Sequence, residues 1–252
     1  MKNKIIDTQG ECSMEKTSLS NYDRLSEEWR QRFLSMDQKK LLAKLPELKD
    51  EGEYLVITHF GRTFGIHKNH GNIIILADEI KEHCQGTTMR QSCQQNELQI
   101  RQEQIDNSTK MNIYNLLWYS KDNGFFHNHW VPFRNVKGAG PFAPAFEKNV
   151  IKPFAMTFAG KTELLKAAAE KLGGEAVRQG DAGYILKAFE CIPMQYLFWD
   201  EDDEFQAQAN ILFDYSVTDF IHVESTVSLA VAGVERLAEA AGIKTKGNVF
   251  GM

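Results

Sequence analysis

Two hydrophobic periods divide this chain. From Ser20 onward Tyr22, Leu25, Trp29 and Phe33 recur three and four residues apart, the spacing of one buried helix face. Ser35 with Gln38 three residues later has the form of a capping box and predicts a second helix that carries Leu41, Leu42 and Leu45 inward. The period then shortens. Glu53 to Phe60, Arg62 to Lys68 and Asn72 to Leu76 cluster β-branched and aromatic residues between the turn signals Gly61 and Asn69-His70-Gly71-Asn72, and read as an antiparallel meander. Over residues 77–110 Gln, Glu, Asn and Lys displace large apolar residues, so this stretch reads as a polar surface insertion, with a solvated helix around Arg90 to Gln104.

Apolar order returns with a helix over Asn112 to Tyr119, a strand over Trp130 to Val136, a loop at Lys137 to Pro141 and short helical pieces between Phe142 and Phe158. Lys161 to Leu172 predicts a helix with Leu164, Leu165, Ala168 and Leu172 on one face and a stop at Gly173-Gly174. Tyr184 to Ile192 and Met194 to Trp199 read as strands meeting at Pro193, and Ala209 to Phe213 as a third. Ser225 or Thr226 would cap a last helix that turns Val227, Ala230, Val231, Val234, Leu237 and Ala241 inward and ends at Gly242. The expectation is an α+β fold: a mixed, largely antiparallel sheet with N-terminal helices and a C-terminal helix packed on it. Residues 1–18 read as a loose tail and 19–252 as a single domain.

Composition narrows the class. A chain of 252 residues, 42% hydrophobic and 25% charged, is ordinary globular material. Its net charge of −5, with no long run of Lys and Arg, points away from nucleic acid. Cys12, Cys84, Cys93 and Cys191 form neither a CxxC pair nor a disulfide framework, and read as reduced thiols of a cytoplasmic protein, Cys191 buried in a strand. No apolar run is long enough to span a bilayer, so no membrane partner is expected.

The chemistry gathers where the strands emerge. Asp200, Glu201, Asp202, Asp203 and Glu204 follow Trp199 directly, and the next apolar run also ends on an acid, Asp214. Asp200, Asp202 and Glu204 alternate, a spacing that suits a hard cation, and Asp200, Asp203 and Glu204 are taken as the candidate ligands. Crowded carboxylates also suit acid–base work, for which Asp203, Glu204 and Asp214 are the catalytic candidates. The plain alternative is a solvated turn. Arg134 beside Trp130, Phe133, Phe198 and Trp199 could anchor an anion in an aromatic pocket, and Trp199 and Glu224 complete the candidate ligand-binding set. The stretch AMTFAGKT, Ala155 to Thr162, imitates a phosphate loop but lacks its first glycine and is too apolar, so a plain helix start is preferred. His127 and His129 would share a strand face, but a spacing of two is a common accident.

The run GDAGYILKAFECIPMQYLFWDEDDEFQAQANILFD, followed by HVESTVSLAV, resembles the DUF3786 family, on Gly180, Asp181, Phe189, Pro193, Trp199, Asp203, Glu204, Phe205, Leu212, Phe213, Asp214 and Glu224. Leu116 to Tyr119 and Trp130 to Arg134 also look like family features, whereas 77–110 does not. The resemblance implies a fold and a set of positions more than a reaction, since the family has no established activity. It also implies that longer relatives carry a cysteine-rich iron–sulphur segment, and no such cluster occurs in this sequence. No cofactor is evident; a divalent cation is the one that the acids would suit. The reading taken forward is a ligand-binding or accessory domain with its site near the acidic turn, serving a small molecule or a protein partner. A metal-assisted hydrolase and a structural interaction module stand as alternatives. Oligomeric state is not legible in these residues.

Overall fold

The computed structural model describes residues 21–76, 100–101 and 105–247. The N-terminal tail and most of the polar stretch 77–110 lie outside these residues. The first helix, α1 (Asn21–Leu34), buries Trp29 and Phe33 as its period predicts, but Leu25 is 42% exposed. The expected capping box is not formed. The Ser35 hydroxyl donates back to Arg32 O, and Asp37 caps α2 (Gln38–Lys44) by accepting from the amides of Lys39 and Lys40. The shift of two residues keeps Leu41 and Leu45 buried.

The predicted meander is present as β2 (Tyr54–His59), β3 (Arg62–His67) and β4 (Ile73–Leu76), preceded by a short β1 (Lys49–Glu51). β2 and β3 turn through Phe60 and Gly61, both at positive φ, as a two-residue hairpin of matching twist requires. Ile100–Arg101, expected in a helix, form instead a strand, β5, paired with β4. Helix α3 (Asn107–Tyr119) starts five residues earlier than its apolar pattern suggests, because Asp106 caps it. The Lys44 ammonium closes its far end by donating to Leu117 O and Ser120 O.

After β6 (Trp130–Pro132), expected to reach Val136, the chain tightens into a 3₁₀ turn. It then forms α4 (Ala143–Phe146), a π turn (Glu147–Ile151) and α5 (Lys152–Phe158) without a break. Pro153 explains the wide turn: a proline ring has no amide hydrogen and crowds the preceding turn of a helix, and the extra residue of a π turn makes room for it. α6 (Thr162–Lys171) buries Leu165 and Ala168 but leaves Leu164 45% exposed.

β7 (Glu175–Ala176), β8 (Ala182–Phe189), β9 (Ile192–Trp199) and β10 (Gln208–Asp214) complete a second sheet in the order β6-β10-β9-β8-β7. The fold is α+β. Its strands form two five-stranded sheets, and every ladder among the described residues is antiparallel. Pro193 does not separate two strands; it sits inside β9 opposite Lys187, beside a bulge where a missing amide hydrogen is tolerated. The turn falls two residues earlier, so Cys191 is not inside a strand; it is half-buried there, with its amide bonded to Glu47.

The two sheets meet where β2 ends against β8. The Phe60 amide and the His59 ring Nδ1 both bond to Ala188 O, at 3.1 and 2.8 Å, and the imidazole stacks on Phe189 at 4.5 Å. α7 (Val223–Ala240) packs across β8, α3 and α6, capped by the His222 ring rather than by Ser225 or Thr226. Gly233 is required at that crossing: a Cβ there would stand 1.8 Å from the buried Tyr196 hydroxyl oxygen. One continuous cluster of buried side chains runs through both sheets and these helices. Among the described residues no helix is long and apolar enough to cross a membrane.

Candidate functional site

The exit of β9 is built by two acids and a glycine. Gly180, at φ 78°, brings its Cα so close to β9 that a Cβ would lie 2.5 Å from Phe198 O. That approach lets the Asp181 amide donate to the same carbonyl at 2.8 Å, while the Asp181 carboxylate accepts the Asp200 amide at 2.8 Å. Asp200 in turn accepts from the amides of Gly160 (2.8 Å) and Glu201 (2.9 Å) and from the Thr162 hydroxyl (2.5 Å). Burial alone would raise its pKa, but the Thr162 hydroxyl and these amides hold it below the ordinary carboxylate range.

This arrangement accounts for the phosphate-loop imitation. Amides at the start of α6 do face an anion, and the anion is Asp200 of the same chain, standing where phosphate would. Lys161 turns away, toward Thr157 O and Ala159 O, and Pro153 lies in a helix rather than in the strand that a phosphate loop follows.

Beyond Asp200 the chain turns on Asp202, whose Oδ1 accepts the amides of Glu204 (2.9 Å) and Phe205 (2.7 Å) and is held low by them. The turn carries Phe205, 62% exposed. Between it and Trp199 lies a recess of about 330 Å³, lined by Asp181, Trp199, Asp200, Asp202, Phe205, Gln206 and Gln208. A lining of carboxylates, two aromatic side chains and two side-chain amides favours a cationic group carried on an apolar body.

The sequence-predicted candidates do not converge on this recess. Trp199 and Asp200 line it; Asp203 and Glu204 are exposed on the turn outside its lining. Asp214 ends β10, whose beginning, Gln208, borders the recess, so the two lie about 20 Å apart along one strand. Its buried carboxylate accepts the amides of His127 (3.1 Å), His129 (2.8 Å) and Ser216 (3.0 Å) and the Ser216 hydroxyl. Burial would raise this group too, but Ser216 and the two loop amides hold it low. Arg134 is exposed, follows the end of β6 that pairs with Leu212, and makes no ion pair among the described residues. Glu224 belongs to the first turn of α7, beside His222, which packs on Tyr119.

The rings of His127 and His129 lie near Phe125 and Tyr215. Among the described residues no group of three or more His, Cys, Asp or Glu side chains is arranged to hold a metal ion. Asp181 and Phe205 lie on the family pattern, where their spacing alone indicates no chemistry. Gln206 and Gln208 carried no signal at all.

The profile of the family described as Domain of unknown function (DUF3786) matches residues 77–236. The match takes in the polar stretch 77–110 as well as the second sheet, and leaves α1, α2 and β1 to β4 outside it. No curated protein and no solved structure matches the chain.

Proposed function

Since the chain belongs to the DUF3786 family, whose description assigns no activity, we propose a function from its own site: a non-catalytic ligand-binding or accessory domain whose recess at the acidic turn takes a small organic cation. The observation that carries this reading is the recess itself, lined by Trp199, Phe205 and carboxylates that backbone amides hold in place. A general acid or base works best with a pKa near the working pH. Asp200 and Asp202 are shifted the other way, which suits fixed negative charge better than proton transfer. The metal-assisted alternative has less support, because Asp200 and Asp214 are spent on backbone amides and, among the described residues, no three His, Cys, Asp or Glu side chains are grouped to hold a metal ion.

Ligand-detected NMR tests the proposal with phenethylamine and benzylguanidine against benzyl alcohol and phenylacetate. The two cations should bind saturably and the other two should not. Phe205→Ala should weaken binding, as should Asp202→Asn, which keeps an acceptor for the turn but removes its charge. Equal response to all four probes, or none to any, would sink the reading.

A further inference from the structure

Charge is unevenly placed on this molecule. Between Arg134 and Lys161 the sequence carries five basic residues and one acid, Glu147, and 241–247 adds two lysines and no acid, in a chain of net charge −5. Lys148, Lys152 and Met156 follow one another at helical spacing of four and are all exposed. The segment after α7 lies along the flank of that helix: the Lys246 amide donates to the Thr157 hydroxyl at 2.8 Å, and Gly247 packs on Pro153. Lys246, exposed, is therefore carried alongside α5, with exposed Lys244 two residues before it, and none of these four lysines makes an ion pair among the described residues.

The opposite end of α5 is acidic apart from Lys161, whose ammonium is taken up by Thr157 O and Ala159 O. Gly160, just past that helix, is bonded to Asp200, and the Glu201 carboxylate lies 3.6 Å from where a Gly160 Cβ would stand. Glu201, Asp203 and Glu204 are exposed and equally unpaired. Lys152 and Gly160 are eight residues apart, so uncompensated cations and anions sit about 12 Å from each other along one helix. Met156, 52% exposed, is midway between them.

We infer that this face pairs with a second copy of the chain, the two α5 helices antiparallel about a two-fold axis at Met156. Such an axis turns the helix end for end. The lysine strip of each copy then meets the acidic turn of the other, both contacts form at once, and the two methionines meet at the centre. A parallel pairing would set like charges together. An anionic polymer laid on the strip would run, within about a Debye length, into the acidic turn; a second copy uses both ends. The pairing does not depend on the recess holding a ligand.

Sedimentation velocity on the full chain, over a broad dilution series at low and high NaCl, tests the inference. A dimer should form at low salt and dissociate as salt rises. The double variant Lys148→Glu/Lys152→Glu and the double variant Glu201→Lys/Glu204→Lys should each pair at least about tenfold more weakly, since like charges then face each other. An equal mixture of the two should associate again, because both contacts are once more opposite in sign; that recovery separates charge pairing from damage to the fold. A wild-type chain that stays monomeric throughout would overturn the inference. So would a dimer that neither double variant weakens, a mixture that does not associate, or a monomer that binds heparin through the strip.

Discussion

Acidification should strike this fold first at the junction of its two sheets. His59 is buried, and Ala188 O can only accept, so Nδ1 carries the ring hydrogen and Nε2 is left as a buried lone pair without a partner among the described residues. Protonation would place a charged N–H there, between Phe60, Phe64 and Phe189, with no acceptor. Burial accordingly pushes the imidazole down from 6.5 to about 4; the Ala188 bond and the more distant Asp106 charge oppose this, and Arg236 adds to it. Between those two values the unfolded chain binds a proton that the folded chain does not, so stability falls as pH falls through this window. Each pH unit is worth about 1.4 kcal/mol, which makes the loss roughly 3 kcal/mol, complete near the folded value and absent above the unfolded one. His59→Phe isolates the effect, because other groups titrate alike in both proteins. The variant keeps the stack, and the Phe60 amide still satisfies Ala188 O, so near pH 7.5 it should lie within about 1 kcal/mol of wild type. Near pH 4 it should be the more stable protein by roughly 3 kcal/mol. Urea unfolding followed by tryptophan fluorescence at a series of pH values measures both curves. A wild-type-minus-variant difference that stays flat between about pH 7 and 4 would refute the reasoning.

Two further substitutions test the packing. Gly233→Ala puts a methyl group against the Tyr196 hydroxyl inside the α7 crossing and should cost about 1–3 kcal/mol, read as a lower urea midpoint with an unchanged slope. Asp214→Ala strands the amides of His127, His129 and Ser216 and should cost about 2–3 kcal/mol. Hydrogen exchange should accelerate at His127 and His129, and exchange unchanged at both would show that the carboxylate does not hold the loop.

How much of this was legible in the sequence depends on the range of the forces involved. The helices and the meander follow from periods within a dozen residues, and they appear close to where those periods put them. Choices between near neighbours are harder. Ser35 and Asp37 are equally good caps in principle, and which one serves is decided by Ser35 turning back to close α1. Leu25 and Leu164 share the spacing of their buried neighbours, yet burial depends on what stands opposite. The acids are hardest of all. Asp200 takes its role from donors 38 and 40 residues away and Asp214 from donors 85 and 87 away, so a carboxylate that braces a loop and one that faces solvent look identical in the chain. The lysine strip is hidden for the same reason: a helix near residue 150 and a segment near 245 meet only in the fold.

The acids at the strand ends, some on the family pattern and some beside it, therefore divide by what their oxygens do. Asp214 meets four donors, all from residues 127 to 129 and 216, and so presents nothing further to a ligand. Asp181 and Asp200 likewise hold backbone together, and Gly180 is there because nothing larger fits against Phe198. These positions brace the strands β8, β9 and β10 at both ends, and the fold of this chain uses them whatever it binds. Asp202 differs: one of its oxygens serves both amides of the turn, and the other has no partner among the described residues. With Phe205, Gln206 and Gln208 it forms the part of the recess wall that the fold does not consume. A pattern of acids can thus mark a scaffold, and the chemistry of the site rests on the side chains beside them that no backbone amide has claimed.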